Sequence, residues 1–205
     1  MSDTINEKDL KKQEEMKNFE EIREEMINNG YKENIGTITI EQANIYALIT
    51  ASPISIICFF IYMNKWNSVF FEFTPSTLLL YSFLIIASVI LHELLHGITW
   101  SLFCKKRFKS IIFGVMWKSF TPYCHCKEPL TFKGYITGGL MPLLILGILL
   151  FVISLFFGNS LLMILSLINI LCSGGDTTIA LLLFKYKDAL FIDHPTDCGF
   201  VAFTK

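Results

Sequence analysis

The stretch LLLYSFLIIASVILHELLHG, residues 78–97, decides the fold and points to the site. Its first fourteen residues, 78–91, carry no charge, and the motif His92-Glu93-Leu94-Leu95-His96 follows directly. On a helix, residues four apart lie on one face, so both imidazoles can bind one cation. Glu93 lies beside them, where it can deprotonate a water held by that cation. Imidazole nitrogens suit zinc, and catalytic zinc takes three protein ligands and keeps one position open.

The same five residues allow a second interpretation, in which two core histidines form hydrogen bonds and share a glutamate partner. From this chain's own His and Glu frequencies, a chance match has odds of roughly 0.5%. Ionisable groups inside a membrane span are costly and usually functional. We therefore favour a zinc site.

The composition indicates a membrane protein. Hydrophobic residues make up 53% of the chain, the mean hydropathy is +0.52 and there are 19 Phe. Apolar stretches predict four spans, at about residues 45–63, 76–103, 134–157 and 161–184, and Pro142 is expected to kink the third. The predicted fold class is an all-α polytopic membrane protein with about four transmembrane helices. Residues 37–205 would form the membrane-embedded domain that contains the motif.

Residues 1–36 are predicted to be a charged cytosolic segment with an amphipathic helix from Glu7 to Asn28. We expect this helix to lie on the domain or on the membrane, and a partner-binding arm is the alternative. Its mixed charge is unlike a signal peptide. Alternation predicts a short strand over residues 37–40 and a small hairpin between the second and third spans, from residues 110–117 and 119–126.

The distribution of Lys and Arg predicts the topology. Seven of these residues lie between positions 104 and 133, whereas the 64–75 loop has only Lys65 and the 158–160 turn has none. The positive-inside rule places the long loop in the cytoplasm, and four spans then place both termini there as well. The expected localisation is the cell membrane, multi-pass, with both termini cytoplasmic.

The predicted spans contain two carboxylates, Glu93 and Asp176. His96 lies nine residues before Lys105 and Asp176 lies nine before Lys185, so these side chains sit at similar depth, about 14–20 Å from the cytoplasmic ends. This predicts His92, His96 and Asp176 as zinc ligands. The Ser-Gly-Gly run before Asp176 would allow close helix approach. Two alternatives remain open, namely Asp176 as a hydrogen-bonded acid or proton relay, and Glu128 as the third ligand.

The six cysteines have no paired spacing, and we expect free thiols. In a strand, Cys124 and Cys126 point to one face and His125 to the other, so this triplet cannot bind a metal as one cluster unless the strand is distorted. We expect the hairpin to pack over the site, although pairing with an extended substrate segment is an alternative. Asp193, His194 and Asp197 are predicted to be turn residues just beyond the last span.

Four stretches carry a family resemblance: HELLHG at 92–97, PYCHCKEPL at 122–130, NILCSGGD at 169–176 and DHP at 193–195. On these the chain resembles, over most of residues 37–205, a family of small bacterial membrane proteins labelled putative zincin peptidases. It is also similar to the site-2-protease class of intramembrane zinc metalloproteases. The resemblance implies zinc on His92, His96 and Asp176 and catalysis by Glu93. Site-2 proteases usually carry an Asp-Gly pair in an Asn-Pro-rich stretch where this chain has Asp-Thr, so their substrate-binding details do not transfer.

The sequence thus predicts a zinc metalloendopeptidase that cleaves membrane-anchored polypeptides near the cytoplasmic face of a lipid bilayer. The basic residues lie beside a membrane, so no nucleic-acid partner is expected. The alternatives are a zinc carrier or sensor without hydrolytic activity, and an interaction protein that holds the helices of a partner. A hydrolase for another bond also stays open, because the motif specifies water activation and not the acyl group.

Overall fold

The computed structural model describes residues 7–70, 73–116 and 121–205. Helices predominate, and short strands lie between them and at the C-terminal end. The helices are α1 (Glu7–Asn28), α2 (Ile40–Trp66), α3 (Pro75–Phe103), α4 (Phe132–Pro142), α5 (Leu150–Phe157), α6 (Ser160–Cys172) and α7 (Gly174–Leu183). The strands are β1 (Lys32–Ile38), β2 (Ile111–Met116), β3 (Thr121–Cys126), β4 (Leu130–Thr131), β5 (Leu190–Asp193) and β6 (Cys198–Thr204).

Within these residues, three helical segments are long and apolar enough to cross a membrane: Glu41–Trp66, Pro75–Phe103 and Phe132–Phe157. The pair α6 and α7 makes a fourth if it counts as one span, although it bends by 44° at its break. These segments coincide with the four predicted apolar stretches. Many of their large apolar side chains are exposed on the surface of the protein, as expected for helices that face lipid.

Local sequence signals fix where the first two spans begin. The side chain of Thr39 accepts a hydrogen bond from the backbone of Gln42, and the Gln42 side chain accepts one from the backbone of Thr39, which is a capping box. Thr74 caps α3 in the same way, with Pro75 in its first turn. Because Thr39 is a cap, β1 ends at Ile38, and the strand predicted over residues 37–40 lies earlier in the chain.

The third span continues through Pro142 as a π-helical segment, Leu143–Leu149, that joins α4 to α5. Proline cannot donate the backbone hydrogen bond of a regular α-helical turn, and a π-helical turn accommodates the loss. The sequence position marked as a kink is therefore a change of helix type, and the two parts together make one apolar span.

A four-stranded antiparallel sheet, in the order β1-β6-β5-β4, corrects the all-α prediction. Phe200 and Ala202 of β6 pack towards the helical core, whereas Val201 and Phe203 pack towards α1. Because both faces of β6 are covered, its sequence is continuously apolar and lacks the alternation that marks a half-exposed strand. The chain is mostly helical with this small sheet.

Helix α1 packs on the outer face of the sheet. Its Phe19 and Met26 are buried against Ile192, Val201 and Phe203. This agrees with the prediction that the helix lies on the domain. The predicted division between residues 36 and 37 falls inside β1, whose partner β6 ends the chain.

The predicted hairpin between the second and third spans is present as β2 and β3, which pair antiparallel with Ile112 opposite His125. Its predicted ends at Trp117 and Ser119 lie outside the described residues. The hairpin packs on α3, where the Phe113 ring fills the space beside Gly97. A side chain at Gly97 would displace that ring, so this glycine allows the hairpin to lie close to the motif helix.

Two groups of packed helices bring the predicted site residues together. Helix α3 packs along α4, and α2 packs along α6 and α7. The two groups meet where α4 contacts α7. This arrangement turns the second half of α3 towards the first turn of α7.

Candidate metal centre

Helix α3 presents His92 and His96 on its buried face, one turn apart. The two residues are 7% and 4% exposed, whereas Leu91 and Ile98 on the other side of the helix are about half exposed. Their rings lie edge to face with centroids 4.9 Å apart. The spacing of four residues thus places both imidazoles at one point, as the sequence predicts.

Asp176 lies opposite them in the first turn of α7, just after the break at Ser173. Its Oδ2 is 3.1 Å from His92 Nε2 and its Oδ1 is 3.4 Å from His96 Nε2. One ligand atom from each of the three residues lies within 4.8 Å of the other two. The structure therefore brings the three predicted ligands together.

The donor set fits zinc. Two bonds of 2.0–2.1 Å at tetrahedral angles separate neighbouring ligand atoms by about 3.4 Å. The separations of 3.1 and 3.4 Å, each between one histidine Nε2 and a different oxygen of Asp176, are close to this value. The Nδ1 atom of His92 is buried and has no hydrogen-bond partner within the described part of the chain. Two imidazoles and one carboxylate leave a coordination position for water, as in catalytic zinc sites.

The orientation of His96 is fixed by its neighbours. His96 Nδ1 lies 2.9 Å from the backbone oxygen of Gly138. A hydrogen bond donated by Nδ1 to that oxygen leaves the lone pair of Nε2 free to bind a metal. The indole of Trp100 stacks on the imidazole at 5.1 Å, and Trp100 Nε1 donates to the Tyr135 backbone oxygen. Helix α4 therefore supports the ligand from behind.

Glu93 is held by strand β3. The backbone N–H of Lys127 donates towards β2, to Ser110 at 2.8 Å, so the alternate N–H groups of Cys124 and Cys126 point away from β2. The Cys124 backbone donates to the Glu93 carboxylate, and the Cys126 N–H donates to Asp193 at 2.8 Å. The outer edge of β3 thus binds two carboxylates at the site.

A cavity of about 310 Å³ contains the predicted site residues. His92, Glu93, His96 and Asp176 all contribute to its wall. From there it extends past β3 to the start of α2 and to Gly199 at the start of β6. The carboxylate predicted to act as a base therefore faces the same space as the three candidate ligands.

Asp193 is a buried acid of the cavity wall, which corrects its prediction as a turn residue. It ends β5 and accepts hydrogen bonds from the Tyr135 hydroxyl and the Cys126 backbone, and His125 Nδ1 lies 3.7 Å away. His194 lies in the turn between β5 and β6, where its Nδ1 accepts a hydrogen bond from the backbone of Asp197. One sequence signal was available for Asp193, since it ends an apolar run typical of a buried strand.

Glu128, the alternative third ligand, has a different partner set. Its carboxylate accepts hydrogen bonds from the backbone N–H groups of Lys105 and Lys106 at 2.7 and 3.0 Å and from the Ser110 hydroxyl. Burial alone would raise the pKa of Glu128, but these hydrogen bonds outweigh burial and lower the pKa below its ordinary value. Glu128 therefore fixes the turn after α3.

The Cys124-His125-Cys126 triplet belongs to no metal cluster in the described ranges, where His92, His96 and Asp176 form the one group with ligand spacing. Cys124 and His125 instead lie beside Glu93 and Asp193, respectively. All six cysteines lie in described residues and are free thiols.

Paired histidines on one helix and a carboxylate from a second helix form a group that could hold a metal ion, and the neighbouring Glu93 lines the same cavity. A family model described as "putative zincin peptidase" matches residues 85–191, just over half of the chain, and the chain belongs to this family. The matched region includes the motif, the hairpin, Asp176 and most of the cavity wall. No match was found among the curated proteins or the solved structures. Family membership implies zinc binding and supports a metallopeptidase.

Proposed function

We propose that this protein is a membrane-embedded zinc metalloendopeptidase that cleaves membrane-anchored polypeptides near the cytoplasmic face. One observation carries the proposal: Glu93 and the three candidate ligands His92, His96 and Asp176 line one cavity. A site that only stored or sensed zinc has no need for a carboxylate beside an open coordination position. A hydrolytic site needs that carboxylate to move protons.

In this proposal the three candidate ligands and Glu93 have different roles. Zinc held by His92, His96 and Asp176 would supply the Lewis acid that activates water and polarises the scissile carbonyl. Glu93 takes a proton from the attacking water and returns it to the leaving amine. The hydrogen bond from the Cys124 backbone holds the carboxylate towards the cavity while it does so.

Strand β3 acts in this proposal as a positioning element. Its outward N–H groups at Cys124 and Cys126 are already bound to Glu93 and Asp193. An extended substrate that paired with this edge would have to displace both carboxylates. This favours the hairpin as a support over the site, and the substrate then occupies the cavity between β3 and α7.

The sheet supports the proposed multi-pass topology independently of the charge distribution. Strands β4 and β5 pair in one sheet, so the chain between them must leave and return to the same side of the bilayer. The segment Phe132–Phe157 is one span, and the bent pair α6–α7 is then the returning span. Strands β1 and β6 also pair, which favours a topology with the start of α2 and the C-terminal tail on the same side of the bilayer. Four crossings with both termini cytoplasmic meet these conditions.

The decisive variant is Glu93→Gln. Wild type and variant are expressed in a bacterial host, and new N termini in the membrane fraction are quantified by mass spectrometry, while bound zinc is measured on the purified proteins. We expect wild-type-specific cleavage products, none above background for Glu93→Gln, and about one zinc per chain in both.

A matched control is Glu41→Gln, which removes an exposed carboxylate in the first turn of α2 and should leave cleavage unchanged. Unaltered cleavage by Glu93→Gln would defeat the proposed role of Glu93. A wild-type protein that binds zinc but gives no cleavage products would favour a carrier or sensor. A wild-type protein that binds no zinc would favour an interaction protein.

A further inference from the structure

Two cysteine side chains lie close together outside the candidate metal centre. Cys104 follows the last residue of α3, and Cys126 is the last residue of β3. Their sulfur atoms are 3.3 Å apart. A disulfide bond is about 2.05 Å long, so the two sulfurs need to approach by only about 1.3 Å to bond.

The pair is enclosed by protein. Cys104 is 5% exposed and Cys126 is 1% exposed, and both belong to the core cluster around Trp100, Tyr135 and Phe191. In the described residues no third ligand with metal spacing joins them. Large reagents cannot reach thiols buried to this degree, whereas a small oxidant such as hydrogen peroxide can enter when the structure opens locally.

We propose that Cys104 and Cys126 are a redox-active thiol pair that hydroperoxides convert reversibly to a disulfide. The pair would then be a covalent modification site separate from the candidate metal centre. This proposal does not rest on the peptidase function, since it needs only the two sulfurs and a small oxidant.

The chemistry balances with hydrogen peroxide as the oxidant. The Cys104 sulfur attacks one peroxide oxygen, the O–O bond breaks and the other oxygen leaves as hydroxide, which takes up the thiol proton to form water. The Cys126 sulfur then attacks the Cys104 sulfenic acid, the S–O bond breaks, and a second water leaves with the Cys126 proton. Two thiols and one peroxide thus give one disulfide and two waters, and a dithiol reverses the change.

The hydrogen bonding of the pair supports this order of attack. A hydrogen bond from the Cys126 thiol lowers the pKa of Cys104, although burial opposes the shift. The same hydrogen bond, together with burial, raises the pKa of Cys126. Cys104 is therefore the thiol that ionises more readily and reacts first.

The disulfide would join two elements that hold the candidate site. Cys104 ends the helix that carries His92 and His96, and Cys126 ends the strand whose Cys124 backbone binds Glu93. Besides the contact between the two sulfurs, the end of α3 is linked to the segment after β3 by hydrogen bonds from the Lys105 and Lys106 backbone to Glu128, which lie at the surface. The oxidised protein should therefore unfold at a higher temperature than the reduced protein.

The test uses the full-length protein in detergent, reduced and then freed of reductant. Hydrogen peroxide is added, remaining thiols are blocked with N-ethylmaleimide under denaturing conditions, and peptides are analysed by mass spectrometry. We expect a cross-linked peptide joining Cys104 to Cys126, two hydrogens lighter than its parts and lost after treatment with a dithiol. The unfolding midpoint should rise by roughly 5 °C on oxidation.

Cys58, buried in α2 among Ala51 and Tyr62, is the internal control and should remain a thiol. The variants Cys104→Ser and Cys126→Ser should each lose the cross-link and the peroxide-dependent rise of the midpoint. Because the wild-type experiment stands by itself, a variant that fails to fold leaves the test intact. Recovery of Cys104 and Cys126 as blocked thiols, as separate sulfinic acids or in links to other cysteines would overturn the proposal.

Discussion

At the scale of single residues, a substitution at Asp176 distinguishes a metal site from a hydrogen-bonded acid. The same contacts, 3.1 and 3.4 Å to His92 and His96, occur in both interpretations. Asp176→Asn keeps the shape and the ability to form hydrogen bonds but removes the charge that a cation needs. We expect zinc affinity to fall by at least about tenfold, measured by competition with a chelator.

The matched control is Asp188→Asn, which changes an exposed residue beyond α7. This variant should bind zinc with the affinity of the wild type. Equal zinc affinities of wild type and Asp176→Asn would assign the carboxylate to hydrogen bonding alone.

Asp193 is predicted to stabilise the junction between the sheet and the helices. It is buried and accepts hydrogen bonds from the Tyr135 hydroxyl and the Cys126 backbone. Asp193→Asn retains one acceptor oxygen and replaces the other with a donor, so either the Cys126 N–H or the Tyr135 O–H loses its acceptor. The expected loss is about 1–3 kcal/mol in the free energy of unfolding, measured by denaturant titration in detergent.

Asp197 provides the comparison for Asp193, because its side chain is 60% exposed in the turn after β5. Asp197→Asn should change the free energy of unfolding by less than about 0.5 kcal/mol. Similar losses for the two variants would contradict the assigned role of Asp193.

Sequence alone could identify His92, His96, Glu93 and Asp176 as candidates, because helix periodicity and depth in the membrane are one-dimensional properties. For Asp193 the end of an apolar run is a signal of burial, but it does not identify the partners. Tyr135 of α4 and Cys126 of β3 are 58 and 67 residues away, and only the folded chain brings them to Asp193. An aspartate followed by His-Pro is typical of a turn, and the turn does begin at the next residue.

At the scale of elements, the break between α6 and α7 depends on two glycines in different surroundings. A Cβ atom at Gly174 would lie 2.5 Å from the backbone oxygen of Ala47 in α2, and backbone atoms cannot move aside as a flexible side chain can. At Gly175 a Cβ atom meets no heavy atom of the described residues within 4 Å. The first glycine lets α7 approach α2, and the second faces the cavity.

We therefore expect Gly174→Ala to lower the free energy of unfolding by about 1–3 kcal/mol, because the helices must separate. Gly175→Ala should be neutral or stabilising by up to about 1 kcal/mol, since alanine favours the helix. Denaturant titration of the two variants side by side measures the difference. A loss for both would indicate that the backbone at the break, rather than the contact with Ala47, requires glycine.

The elements also show where sequence patterns suffice. The β2–β3 hairpin pairs neighbouring strands, and its alternation predicted it. The four-stranded sheet pairs residues as distant as Lys32 and Thr204, and β4 contributes only two residues to it. Such pairings depend on tertiary structure, and a two-residue strand is too short for any periodicity.

At the scale of the whole molecule, the segments that contain strands all lie at the same end of the apolar helices. Strand β1 precedes the first apolar helix, β2 to β4 lie between α3 and α4, and β5 and β6 follow α7. Contacts join these parts directly, because β4 pairs with β5 and the Cys126 backbone binds Asp193. The turn between α2 and α3 and the turn between α5 and α6 lie at the other ends of the spans.

The proposed topology predicts opposite labelling of two exposed positions. Ser68 lies between α2 and α3, and Asp188 lies after α7 on the side of the sheet. In intact cells, a membrane-impermeant maleimide should label Ser68→Cys above the wild-type background and leave Asp188→Cys at that background. Asp188→Cys should become labelled once the membrane is permeabilised. The reverse pattern would place the loop between residues 104 and 133 outside the cell. Labelling of both positions in intact cells would require an even number of crossings between them, which the pairing of β1 with β6 and of β4 with β5 opposes.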